Sequence, residues 1–69
     1  MAYRFRLSGN GLRHSWQKEC RSADASRHAE LVAREYANDD LYHGTVVRVM
    51  DDNGNEIDRV HVTKPKRRT

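Results

Sequence analysis

The sequence predicts an α+β domain: a four-stranded, mainly antiparallel sheet of β-β-α-β-β order with one helix packed across one face. Three observations lead there. Residues 22–38 carry the period of an amphipathic helix. On both sides of them lie short alternating runs that fold back at Asn-Gly pairs, the signature of hairpins. Two isolated hairpins are marginal in water, so they need a shared apolar surface, and the helix supplies it. Strand order does not follow from the sequence.

In the helix, Ala25, Ala29, Val32 and Tyr36 recur at i, i+4, i+7 and i+11 and are expected to form the buried stripe. Ser22 or Asp24 is the expected N-cap, because a short side-chain oxygen accepts from an orphan backbone N–H in the first turn. The helix should stop near Asn38. Asp39 and Asp40 sit badly at the negative end of the helix dipole and are assigned to the exit loop. Leu41 and Tyr42 are expected to fold back over the helix end, with Gly44 closing the loop.

The first hairpin begins with Tyr3, Phe5 and Leu7 alternating with Arg4, Arg6 and Ser8. After Ser8-Gly9-Asn10-Gly11, a second strand runs from Leu12 to about Cys20. A two-residue Asn10-Gly11 loop pairs Phe5 with Trp16, whereas a four-residue loop pairs Tyr3 with Trp16. Both put Trp16 on the Tyr3/Phe5/Leu7 face. The opposite face then gathers Arg4, Arg6, Arg13 and Arg21.

In the second hairpin, residues 45–50 and 57–62 are β-branched runs around Asn53-Gly54. A two-residue type I′ turn pairs Val47 with Val60 and Val49 with Asp58, and in that register Arg48 and Arg59 continue the arginine face of the first hairpin. A three-residue turn with Gly54 at the bulge pairs Val49 with Ile57 and Arg48 with Asp58, an attractive cross-strand charge pair, and is the expected form. Either way both faces carry valine or isoleucine, and one helix covers only one face. The expected core is Tyr3, Phe5, Leu7, Trp16, Ala25, Ala29, Val32, Tyr36, Val47, Val49 and Ile57.

Length places limits on this core. A chain of 69 residues forms one domain and buries only about 60% of its unfolded surface. Unstapled cores of that size rarely supply more than ~3–5 kcal/mol. Cys20 is the only cysteine, so no disulfide within the chain helps, and a lone thiol fits a reducing cytoplasm. Self-association is the remaining staple, which makes a homodimer, or another protein partner, expected. No apolar run reaches the ~20 residues that span a bilayer, so no membrane is expected, and the alternating N-terminus does not read as a signal peptide.

The net charge of +3 hides a segregated pattern. Residues 1–21 hold five basic side chains against one acid, a net +4. Residues 22–63 hold four arginines against nine acids, a net −5. Residues 64–69 add Lys64, Lys66, Arg67 and Arg68, a net +4. The chain thus divides into a domain at 1–63 and a basic tail at 64–69, whose composition predicts disorder.

Catalytic and metal chemistry find little support. His14, Cys20, His28, His43 and His61 include neither a Cys-x-x-Cys nor a His-x₃-His spacing, so no metal is expected. Residues 51–56 place their glycine fourth, whereas a calcium loop needs it sixth. Gly9-Asn10-Gly11 precedes no helix and makes no phosphate cradle. Cys20, paired in thought with His14 or His28, lies on the inward parity of its strand, where thiols are inert packing. The expectation is a non-enzymatic protein with no cofactor and no evident small-molecule ligand.

Ala25, Ala29, Ala33 and Arg34 on the helix, followed by Val49, Asp51, Gly54, Ile57 and Val60 in a Val-x-Asp-x-x-Gly-x-x-Ile hairpin, resemble small proteobacterial domains of unknown function of β-β-α-β-β type. The resemblance spans residues 22–62 and implies a bacterial α+β domain. The first half is also similar to small antitoxin domains with a partial ribonuclease-H-like sheet. Neither likeness assigns a functional residue. Two functional expectations result: an interaction module joined through an uncovered apolar face or strand edge, and, as the alternative, a nucleic-acid binder using Arg4, Arg6, Arg13 and Arg21 with Lys64, Lys66, Arg67 and Arg68.

Overall fold

The N-terminal alternation forms β1 (Ala2–Gly9), which returns through Asn10 and Gly11 into β2 (Leu12–Glu19) in a computed structural model describing residues 1–63. The tail residues Lys64, Lys66, Arg67 and Arg68 lie outside the described residues. Asn10 and Gly11 adopt φ of 53° and 78°, a left-handed pair that matches the right-handed twist of the strands. The resulting register pairs Phe5 with Trp16, the outcome of the two-residue loop.

Helix α1 (Ser22–Tyr36) follows, then a single 3₁₀ turn (Asp40–Tyr42), β3 (Val46–Met50) and β4 (Glu56–His61). The strands form one sheet in the order β2-β1-β3-β4, and every neighbouring pair is antiparallel. The predicted α+β architecture is the one observed. Among the described residues no helix is long and apolar enough to cross a membrane.

The helix meets the sheet through Ala25, Ala29, Ala33 and Ala37, all buried. This corrects the predicted stripe, because Val32 and Tyr36 lie half-buried on its flank. A line of methyl groups lets the helix backbone approach β3 and β4 closely, and larger side chains are displaced to the side. Beneath that line Phe5, Leu7, Val47, Val49 and Val62 are fully buried, with Tyr3 nearly so. The N-cap is Arg21, not Ser22 or Asp24, and its side chain makes no capping hydrogen bond. At the other end the chain leaves the helix at Ala37, where His43 Nε2 donates to the Ala37 carbonyl at 2.6 Å. Tyr42 packs on Tyr36 with ring centroids 4.4 Å apart, as expected of a fold-back, whereas Leu41 is exposed.

Hairpin β3–β4 combines features of both anticipated registers. Its loop is the three-residue form: Gly54 has φ +83°, Gly54 N–H donates to the Asp51 carbonyl at 3.1 Å, and Asp51 N–H donates to the Asn55 carbonyl at 2.9 Å. Met50 then pairs with Glu56, but the register shifts and Val49 pairs with Asp58. Ile57 is the extra residue of a second bulge. The expected pairs Val49–Ile57 and Arg48–Asp58 are absent, and Val47 opposes Val60 while Arg48 opposes Arg59. Ile57 consequently leaves the core and is 42% exposed. Its place is taken at the far end by Val62, clamped by Gly44 N–H to Val62 carbonyl (3.0 Å) and Val62 N–H to Thr45 carbonyl (2.9 Å). Trp16 is half-buried against the core, not within it.

Candidate nucleic-acid interface

The helix covers one face of the sheet, and among the described residues nothing packs on the other. Residues paired across neighbouring strands share a face. Starting from exposed Arg4 and Arg6 and half-buried Ser8, the observed registers therefore assign the whole open surface. One row runs Ser15, Arg6, Arg48, Arg59 from β2 to β4. A second runs Gln17, Arg4, Met50, Glu56, and a third runs Arg13, Ser8, Val46, His61. Five arginines stand on this face. The shift at Ile57 is what aligns Arg59 beside Arg48.

Adjacent strands lie about 4.8 Å apart, and like charges directly opposite each other are destabilising. Partial relief comes from Glu56. Its Oε2 accepts from Arg59 Nη2 at 2.9 Å, and its Oε1 lies 3.4 Å from Arg48 Nε. That Nε is buried and makes no aligned hydrogen bond, so Arg48 is held by charge more than by a directed contact. Arg4, Arg6 and Arg13 make no ion pair among the described residues. Arg21, grouped with them from strand parity, lies beyond the end of β2 at the helix N-terminus and does not join the rows. Arg48 stands on the face through its pairing with Arg6, and Arg59 joins it through the register shift.

On the covered side, α1 lies chiefly over β3 and β4, and β2 is left at the margin. A groove of about 620 Å³ opens there, lined by Trp16, His28, Val32, Tyr36 and Tyr42, with Gln17, Lys18, Glu35 and Asp39 around them. Phe5 stacks beneath Trp16 at 5.6 Å with an interplanar angle of 10°, and His28 stands edge-on to Phe5 at 4.8 Å. His14, inward by parity but exposed, stacks beside Tyr36 at 6.4 Å. The Trp16 indole Nε1–H donates to His28 Nε2 at 3.2 Å, which requires that nitrogen to be unprotonated. Burial in this packing, aided by the positive charge of Lys18, holds the His28 pKa below its ordinary value against an opposing pull from Glu35.

Strand parity places Trp16, and helical period places Tyr36, in the interior. The offset position of the helix, which leaves their outer sides to the groove, is a tertiary feature without a local signal. No family model, curated protein or solved structure matches this chain.

Proposed function

We propose that this chain is a small non-enzymatic nucleic-acid-binding protein that contacts phosphates through the open face of its sheet. The observation behind this reading is the row Arg6, Arg48, Arg59, flanked by Arg4 and Arg13, on a surface with no layer over it among the described residues. Arginine forks suit phosphate oxygens, and several on one surface gain affinity by releasing condensed counterions. Aligning like charges across three strands costs stability, which a polyanion recovers on binding. The basic tail with Lys64, Lys66, Arg67 and Arg68 extends the same electrostatic attraction.

A fluorescence-anisotropy titration with labelled oligonucleotides over a range of salt tests the reading. Affinity should fall steeply with salt, with a log–log slope of about −0.9 per duplex phosphate contacted. Removing residues 64–69 should flatten the slope by a few units, and the double change Arg4→Ala with Arg6→Ala should weaken binding of every sequence alike. Absence of micromolar binding at low salt would overturn it.

A second reading, an interaction module that self-associates in the bacterial cytoplasm, draws on the exposed apolar side chains Ile57 and Leu31 and on the two strand edges, β2 and β4, left unpaired among the described residues. Sedimentation separates the two. A dimer dispersed by Ile57→Asp supports the module, and a monomer at all concentrations removes it.

A further inference from the structure

Resting on the nucleic-acid reading, we propose that the groove between α1 and β2 receives an unpaired base, which makes single strands, not duplexes, the preferred ligand. Two observations join the groove to the arginine face. A shallow depression on that face is lined by Arg4, Arg6, Ser15, Trp16 and Gln17. Trp16 and Gln17 also line the aromatic groove on the other side of the sheet. Since β2 is an edge strand, the two concavities meet around it with no further strand between them. A strand whose phosphates lie on Arg4 and Arg6 brings the attached base to the rim of the groove.

Chemistry inside the groove favours a base over a phosphate. Glu35 and Asp39 outnumber Lys18 and leave the rim with a net negative charge that disfavours an anion, while Trp16, Tyr36 and Tyr42 offer ring surfaces to an uncharged planar group. Stacking of this kind tolerates any base, because each has a π-face. The volume of about 620 Å³ lies within the ordinary range for ligand pockets. In a duplex the bases are stacked within the helix and only phosphates are offered, so duplex binding uses the arginine face alone.

Trp16 is the only tryptophan of the chain, so its emission reports on the groove directly. The probe is a single-stranded thymidine oligomer of about twelve nucleotides, a length that covers a typical single-strand site, compared with a duplex of equal length. The oligomer should quench Trp16 emission with the same midpoint as the anisotropy change, and the duplex should leave the emission unmoved. Tyr42→Ala should weaken single-strand binding roughly ten-fold, leave duplex binding unchanged, and be rescued by Tyr42→Phe. Anisotropy showing binding while Trp16 emission stays constant and Tyr42→Ala is neutral would overturn the groove but leave the arginine face standing. No binding of either probe would overturn both. If Tyr42→Ala fails to fold, the wild-type quenching comparison decides alone.

Discussion

Phe5 and Arg6 are neighbours in sequence, yet they stand on opposite faces of the same sheet under opposite physical rules. Phe5 lies between Trp16, His28 and Val49, fully buried. Arg6 faces water between Ser15 and Arg48, and its strand partner carries its own charge. The covered face is selected for packing. The open face departs from what stability alone would choose, because cross-strand repulsion is retained where alternating charge would be better. A surface that keeps an avoidable cost is where function is most economically sought.

The largest effect expected on this contrast comes from Phe5→Ala. It removes a fully buried ring that touches both hairpins and the helix, and should cost about 3–5 kcal/mol. A domain of this size has little more than that in reserve. Chemical denaturation, or loss of amide dispersion in NMR, should show a largely unfolded chain, and a cooperative transition near that of wild type would mean that the covered face is not the core.

Next in size is Ala33→Leu. The alanine line sets the distance between helix and sheet, so three added heavy atoms against β3 and β4 should cost about 1–3 kcal/mol. The same enlargement on the exposed side of the helix, Ala23→Leu, should be close to neutral. Equal effects of the two changes would show that the helix does not approach the sheet through alanine.

His28 tests the margin between the two faces. Its folded pKa is depressed relative to the unfolded chain, chiefly by burial, so the native state prefers the neutral ring. The stability this confers is complete above the unfolded value of about 6.5 and declines as pH falls from there through the folded pKa. Protonation also removes the acceptor for the Trp16 indole. Wild type should therefore lose stability as pH falls below about 6.5, with a shallower loss in His28→Gln, whose amide oxygen accepts the same hydrogen bond without titrating. Parallel curves for the two proteins would dissociate the acid sensitivity from His28.

Much of this fold was legible because strand parity and turn chemistry are local. Alternation places Tyr3, Phe5, Leu7, Val47 and Val49 inward, and Asn10-Gly11 marks the first turn, whose two-residue form is the one of the two open registers that the structure adopts. Legibility failed where tertiary geometry chose between local equals. Val32 and Tyr36 have more apolar surface than Ala33 and Ala37, so periodicity weighted them first, yet close helix–sheet approach rewards the smaller pair. In the second hairpin the three-residue loop was foreseen from Gly54, but a further bulge at Ile57 restored the register of the tighter turn. No residue at that point announces it. The open arginine face is legible in part: Arg4, Arg6 and Arg13 follow from parity, Arg48 and Arg59 continue them under the type I′ pairing that the bulge restores, and Arg21 is lost because β2 ends before it.

The smallest expected change in stability is the most informative about the open face. Arg6→Ala removes an exposed side chain that makes no ion pair among the described residues and stands directly beside Arg48, so packing loss is slight and a repulsion disappears. Its stability should stay within about 0.5 kcal/mol of wild type, with any change tending toward stabilisation. Binding should move the other way. One fewer phosphate contact lowers the salt slope by about one unit and weakens affinity for all sequences alike. Arg59→Ala provides the control, because the charge of Arg59 is already compensated by Glu56 and its removal also loses that ion pair. It should therefore relieve less repulsion while also weakening binding. Thermal denaturation and anisotropy on the same two variants read both quantities, and a marked destabilisation by Arg6→Ala would show the arginine row to be a structural support, with its charge no longer evidence for a ligand.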